Sequence, residues 1–284
     1  MKVFDIESCY PNMPRETIRF ALRSVLKEVE EEKDRDGVFV PKFSDTRPCS
    51  WKEPGRTQAQ KIPFQVMLDV MDFSLDFALI RMPEGGILRQ TKGIPMGDPL
   101  SPGMTVGTCA WMESEWLNTI ATGDRKYFRM RRFMDDILMV YAKTPKWDSE
   151  RFVADFMKSE CYQKPLKLEE GKEGIFLETK YWVDNGSIKH KLKNDNEGGQ
   201  VNVWRYQHFY SNTSFLQKRA TLTACLRKVQ DMGSDPERVR EGAIAKIAEF
   251  RRLRYPLSVL QKACNCLGAK SGEGMWITVR NALR

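Results

Sequence analysis

Histidine is scarce in this sequence, with two residues in 284. The seven cysteines are odd in number, scattered, and contain no Cys-x-x-Cys pair. Cys264-x-Cys266 alone supplies too few ligands for a structural zinc site, and the pattern points to free thiols in a reducing, intracellular compartment, nuclear or cytoplasmic. No apolar run approaches the ~18 residues of a membrane span, and no signal peptide precedes the first apolar segment, so no membrane partner is expected. Internal repeats and low-complexity tracts are also missing, which excludes a solenoid or a disordered scaffold. What is present is a globular balance, 41% hydrophobic and 30% charged, in a length that suits one large domain or two smaller ones. The net charge of +8 is uneven. From Arg205 to the end there are 15 Lys and Arg against 6 Asp and Glu, so the last quarter carries +9 and the remainder −1. A face of this kind suits a phosphate backbone; a solvated helix surface accounts for the same charge.

The most informative stretch is Arg131-Arg132-Phe133-Met134-Asp135-Asp136-Ile137-Leu138-Met139-Val140-Tyr141. Phe-Met and Ile-Leu-Met-Val read as short buried strands, and Asp135-Asp136 as the turn between them, since Asp tolerates turn geometry. Two adjacent carboxylates are either a solvated turn or half of a divalent-cation site, because hard cations take carboxylate oxygens. A further acid, Asp5, ends the apolar strand Val3-Phe4, and Tyr10 follows it in Tyr10-Pro11-Asn12-Met13-Pro14. Between the two acid segments lies Gln90-Thr91-Lys92-Gly93-Ile94-Pro95-Met96-Gly97-Asp98-Pro99. Its glycines permit close backbone approach to a substrate, and its prolines stiffen the entry to a helix.

Acid strand, glycine-containing turn with helix, and Asp-Asp hairpin resemble, in that order, motifs A, B and C of a reverse transcriptase. Tyr10-Pro11-Asn12-Met13-Pro14 and Met96-Gly97 are similar to the corresponding segments of Penelope-like retroelement reverse transcriptases. Phe176-Leu177-Glu178, Tyr210-Ser211-Asn212 and Arg254-Tyr255-Pro256 resemble that family's later blocks. Penelope-like enzymes are relatives of telomerase, which stays open as the neighbouring family. The resemblance implies an α+β fold: a polymerase palm, an antiparallel sheet flanked by helices, over residues 1–204 with a charged insertion at about 30–60, then an α-helical basic thumb over 205–284.

It also implies a chemistry, RNA-directed DNA synthesis by two-metal nucleotidyl transfer from dNTPs to a primer 3′-hydroxyl. Asp5, Asp135 and Asp136 would be the catalytic carboxylates, Asp5 and Asp135 bridging two Mg²⁺ ions, or Mn²⁺ in their place, Asp136 a third acid in a metal or positional role, with the Ile6 carbonyl as a further oxygen. Tyr10 would be the steric gate that excludes ribonucleotides. Gln90, Gly93, Met96 and Gly97 would line nucleotide and template; Met96 departs from the broader pattern, because a thioether cannot replace an amide's donors and acceptors. Lys167 or Lys172 would be the general acid for pyrophosphate, and Arg227, Lys228, Arg251 and Arg252 the nucleic-acid face. The partners implied are an RNA template, a DNA primer and dNTPs. The family carries fingers ahead of motif A, whereas only four residues precede Asp5; the expectation is that the sequence is a fragment, that another chain or segment supplies the fingers, or that the 30–60 insertion substitutes for them, with Lys52, Arg56 and Lys61 left without an assigned role. The endonuclease often fused to such enzymes is not in this sequence. Two other readings remain, a palm-thumb remnant that binds nucleic acid without catalysis, and an RNA-dependent RNA polymerase, which Tyr10 disfavours.

Periodicity supplies the remaining elements. Helices are predicted over 15–33, 62–80, from Pro102 through Ile120, and 148–159. Phe64, Met67, Leu68, Met71, Leu75 and Ala78 form the buried stripe of the second. Val38-Phe39-Val40 is a candidate strand. Glu113 and Glu115, two apart on a helix, cannot serve one site and read as surface or ion-pair residues. Residues 166–170 and 174–183 read as a hairpin around Gly171–Gly174. Helices follow over 213–231, 236–253 and 257–267, with Asp235 as an N-cap ahead of Pro236. Phe215, Leu222, Leu226 and Val229 give one core stripe there, and Ile244, Ile247 and Phe250 the next.

Overall fold

The computed structural model describes residues 1–41, 48–53, 59–172, 174–194, 196, 205–271 and 274–281. The chain divides into two compact units, 1–171 and 172–284.

In the first unit the order is β1 (Lys2–Ile6), α1 (Cys9–Asn12), α2 (Arg15–Lys33), β2 (Gly37–Pro41), β3 (Ala59–Pro63), α3 (Phe64–Asp76), β4 (Leu79–Arg81), β5 (Ile87–Arg89), α4 (Ser101–Thr119), β6 (Phe128–Phe133), β7 (Asp136–Tyr141), α5 (Ser149–Lys158) and β8 (Leu168–Glu170). The main sheet runs β6-β7-β1-β8, antiparallel at every junction. Side chains alternate across a strand, so Phe4, Ile6, Ile137 and Met139 point to one face. All four are fully buried, in one cluster with Met104, Cys109 and Met112 of α4 and Val153 and Phe156 of α5. Phe4 meets Phe156 edge to face at 5.3 Å between ring centroids. The opposite face carries Asp5, Asp136, Leu138 and Val140 and is less covered.

The helices form where the 3.6-residue pattern places them, with ends shifted by a few residues. Of the expected α3 stripe, Phe64, Met71, Leu75 and Ala78 are buried; Met67 is exposed. Strand β2 holds Val38-Phe39-Val40 and pairs antiparallel with β3. The two strands form a ribbon, in which Lys61 pairs with Asp36 at 2.5 Å. Lys52 is exposed, and Arg56 lies outside the described residues.

The second unit contains β9 (Ile175–Phe176), β10 (Thr179–Asp184), β11 (Ser187–Leu192), α6 (Phe215–Asp231), α7 (Pro236–Arg252), α8 (Leu257–Ser271) and α9 (Met275–Asn281). The hairpin expected around 171–174 does not form. Segment 168–170 pairs with the free edge of β1, and the hairpin is β10–β11, turned by Asn185-Gly186 with both residues at positive φ, 48° and 75°. Asn-Gly tolerates this where other pairs do not. The β10–β11 hairpin belongs with the helices: Ser234 N–H donates to the His190 carbonyl at 2.9 Å, and Lys189 pairs with Asp235 at 3.1 Å. The units therefore divide ahead of the 204/205 boundary drawn from the charge shift. Asp235 caps α7 as expected, accepting from Arg238 N. Leu222, Leu226, Val229, Ile247 and Phe250 fill the core. Phe215 and Ile244 are instead exposed: Phe215 is the first residue of α6, and Ile244 lies one position off the buried Ala243, Ile247, Phe250 stripe.

Candidate active site

The strand registers place the acids. Asp5 pairs with Asp136 on one side and with Glu169 on the other, and Asp136 pairs with Phe133. Cross-strand partners share a face, so Phe133, Asp136, Asp5 and Glu169 form one transverse row across all four strands. Asp135 stands at the end of this row. The turn is Met134-Asp135, not Asp135-Asp136, with Met134 at φ 55°, and Asp136 begins β7. The shift by one residue has a simple cause: pairing of Phe133 with Asp136 leaves two residues for the loop, the shortest common hairpin connection. Ile6 N–H donates to the Asp135 carbonyl at 3.1 Å, tying the turn to the end of β1. Glu169 was not among the sequence-predicted residues. No local signal marks it, because its place depends on pairing with a strand at the far end of the chain.

An arginine whose side chain is largely covered fixes the turn from behind. Arg132 Nε donates to Glu113 Oε1 at 2.5 Å, Nη1 to the Met134 carbonyl at 3.0 Å and Nη2 to the Val106 carbonyl at 3.2 Å. Tyr162 donates its hydroxyl to the same Glu113 oxygen at 2.5 Å. The Arg132 and Glu113 side chains are 7% and 15% exposed. Glu113 is accordingly the interior member of its pair, while Glu115 is exposed. Burial and the Glu113 charge hold the Tyr162 phenol well above its ordinary pKa, so it stays a donor.

The loop before α4 is held against Tyr10. Ile94 N–H donates to the Tyr10 carbonyl at 2.8 Å. Gly93 sits at φ 67°, and a Cβ there would lie 2.4 Å from the Pro11 carbonyl oxygen and 2.5 Å from that of Tyr10, so only glycine fits. Arg15 donates to three carbonyls, Leu75 at 2.5 Å, Gln90 at 2.7 Å and Gly93 at 2.9 Å. The half-buried Tyr10 ring reaches the Met134-Asp135 turn, its hydroxyl 4.0 Å from Met134 Sδ. Gln90 donates its amide to the Lys92 carbonyl, and Met96 is 76% exposed. Ile6 is buried at the end of β1. Lys167 is exposed, and its carbonyl accepts from Glu7 N–H at 2.9 Å; Lys172 is exposed in the second unit. Of the four expected nucleic-acid cations, Lys228 is ion-paired with Glu178, Arg251 donates to the Tyr255 carbonyl at 3.3 Å, Arg252 is exposed, and Arg227 is exposed and unpaired among the described residues.

The row is electrostatically unfavourable by itself. Burial, then the charges of Asp135, Asp136 and Glu169, push the Asp5 carboxyl above its ordinary pKa, against the lowering effect of the Ile6 backbone N–H. Burial and Asp135 push Asp136 the same way. None of these influences is a cationic side chain, and an all-oxygen, all-anionic donor set of this kind fits Mg²⁺ or Mn²⁺. Among the described residues, however, no three His, Cys, Asp or Glu side chains close around one point in a geometry that would hold an ion.

A stability prediction follows from the raised pKa values. In the interval between the unfolded and the raised folded values, the folded chain binds more protons, so its stability falls as pH rises through that interval. Asp5→Asn or Asp136→Asn is therefore expected to stabilise the protein at pH 7 in EDTA, by less than about 1 kcal/mol because both groups are largely solvated. The gain should vanish below the ordinary carboxylate pKa. Urea titration across pH measures it, and a loss of stability in both variants at pH 7 would contradict the electrostatic account.

No protein-family model matches the chain, and no curated protein does. Among solved structures, apo telomerase from Candida tropicalis is similar with a TM-score of 0.50 and 14% identity, over 99% of this chain and 46% of that one. Telomerase from the same organism in complex with the TWJ fragment of telomeric RNA gives 0.49 and 13%, over 95% and 39%. The Sicinivirus 3Dpol RNA-dependent RNA polymerase gives 0.46 and 11%, over 98% and 51%. The chain has a reverse-transcriptase-like polymerase fold, an assignment that rests on the first of these likenesses. It spans less than half the length of the telomerase chain it matches.

Proposed function

We propose that this chain is the palm and thumb of an RNA-directed DNA polymerase of the Penelope-like type, which extends a primer 3′-hydroxyl with dNTPs. The single observation that carries the reading is the acid row, Asp136 and Asp5 on adjacent strands with Asp135 at the turn, facing the less covered side of a polymerase-type sheet. Asp5, Asp135 and Asp136 would hold two divalent ions, with the Ile6 carbonyl as a further oxygen. Such ions, when bound, neutralise phosphate charge and lower the pKa of the attacking hydroxyl. The chain's own residues supply position. Gly93, with no Cβ, leaves the Gln90–Gly97 backbone against Tyr10, and the Tyr10 ring beside Met134 would fill the space of a ribose 2′-hydroxyl. Lys167 or Lys172 would deliver a proton to the leaving pyrophosphate. An RNA template, a DNA primer and a fingers-bearing chain or segment complete the proposed assembly.

The second reading, nucleic-acid binding without catalysis, is favoured by the open arrangement of the acids, since among the described residues no three close about a point. Primer extension on an RNA template with dNTPs and Mg²⁺, with and without added fingers segments, decides between them. Extension that requires Mg²⁺ or Mn²⁺ supports the polymerase; binding of primer–template with no extension under any of these conditions supports the remnant.

Sugar choice gives a further prediction. Tyr10→Ala is expected to raise ribonucleotide over deoxynucleotide incorporation about tenfold or more, since a bulk barrier worth about 1.4 kcal/mol is a factor of ten. Tyr10→Phe should change little, because the ring remains. Competitive incorporation from mixed nucleotides reads the ratio, and an unchanged preference in Tyr10→Ala would make the ring packing only.

A further inference from the structure

A second place on the molecule combines a cavity with unpaired charge. Helices α6 and α8 of the second unit enclose a cleft of about 520 Å³. On α6 its lining recurs every four residues: Phe215 and Leu216, then Arg219, Thr223 and Arg227, one face of a helix. The floor is open because the residues between are small, Ala220 and Ala224 on α6 and Ala263 on α8. Lys262 of α8 completes the lining with Cys266, and no acidic residue contributes to it. Arg219, Arg227 and Lys262 are exposed and make no side-chain hydrogen bond or ion pair among the described residues. Phe215 and Leu216 are 54% and 65% exposed at its mouth.

This differs from the face drawn from sequence. Lys228 and Arg251 are engaged by Glu178 and the Tyr255 carbonyl; the cations left unengaged at this cleft are Arg219, Arg227 and Lys262. Arg219 and Arg227 are eight residues apart, about 12 Å along the helix axis, too far to serve one small anion together. Guanidinium forks suit phosphate oxygens, and an exposed aromatic beside them suits an unpaired base. A duplex, whose bases are stacked inside, would leave Phe215 and Leu216 without use.

We infer that the α6–α8 cleft binds single-stranded nucleic acid, with phosphates on Arg219, Arg227 and Lys262 and a base on Phe215. The inference rests on the nucleic-acid part of the proposed function and not on catalysis, so its test is run in EDTA and is independent of primer extension.

The test is fluorescence anisotropy of the full chain with a short fluorescein-labelled oligouridylate across a salt series. The variant Arg219→Glu/Arg227→Glu/Lys262→Glu is compared with the charge-matched Lys143→Glu/Lys146→Glu/Arg240→Glu, whose positions do not line the cleft. Three phosphate contacts on a single strand contribute about 2 to the slope of log affinity against log salt, and the cleft variant is expected to lose that slope while the control keeps it. Phe215→Ala should weaken binding about tenfold with the slope unchanged. Equal loss in both triple variants, no change in the cleft variant, tighter binding of a duplex of the same length, or displacement of the RNA by polyglutamate at equal charge would each overturn the inference, the last in favour of an acidic protein partner. Circular dichroism of each variant establishes that loss of binding is not loss of fold; if the triple variant is unfolded, the single variants Arg219→Gln and Lys262→Gln carry the test, each expected to lower the slope by about 0.7. Should extension occur while the cleft variant binds normally, the polymerase reading stands and this inference falls.

Discussion

Arg132→Met is expected to destabilise the first unit by about 3–5 kcal/mol, because it leaves the Glu113 carboxylate buried and without its cation. The side chains are 7% and 15% exposed, so solvent does little to compensate. The loss should be mostly recovered in Arg132→Met/Glu113→Gln, where no buried charge remains and Gln can still accept from Tyr162. Arg132→Lys separates charge from geometry. It keeps a cation beside Glu113 but not the planar fork that also reaches the Met134 and Val106 carbonyls. That variant is expected to fold, and to lose extension rate through a looser turn at Asp135. Urea unfolding measures the first effect and single-turnover extension the second. A cost below about 1 kcal/mol for Arg132→Met would mean that the pair is no more than a surface salt bridge.

Asp136→Asn is expected to remove primer extension by about a thousandfold or more, about 4 kcal/mol of transition-state stabilisation, with primer–template binding preserved. Asp5→Asn should match it, since the two residues are direct cross-strand partners. The same substitutions are those expected to raise stability in EDTA, so a variant more stable and inactive separates a functional cost from a folding defect. Glu170→Gln serves as the control. Glu170 lies on the other face of β8, ion-paired with Lys2, and its loss should leave extension near the parent rate. Extension by Asp136→Asn within tenfold of the parent would remove the acid row from the mechanism.

What could be read from sequence divides by range. Helices α2, α5 and α7 follow from 3.6-residue periodicity and from a cap such as Asp235, both local properties. The placement of Asp5, Asp135 and Asp136 at strand ends and the turn was legible because each ends or begins a short apolar run. The partnership of β8 was not: Leu168-Glu169-Glu170 carries no alternation, and its partner is Phe4-Asp5-Ile6. Glu169 stayed hidden for the same reason. The Arg132–Glu113 pair was half legible, since Glu113 read as a surface or ion-pair residue, and its partner and burial depend on how α4 packs on the sheet. Charge counting located the basic unit but could not separate Lys228, engaged by Glu178, from Arg227, which has no side-chain partner among the described residues.

The position of β1 in the sheet has a consequence for biosynthesis. Among the described residues, 2–6 pair with 136–139 and 168–170, so β1 leaves the ribosome well before the other members of its sheet. At roughly 5–20 residues per second, the interval before residue 170 emerges is on the order of 10–30 s. Through that time Val3, Phe4 and Ile6 have no strand to shield them, and closing so long a loop makes the pairing a late and slow event. A nascent chain halted before β8 therefore has β1 but neither the complete acid row nor the sheet edge that holds it, and assembly of the row marks the completion of the whole first unit.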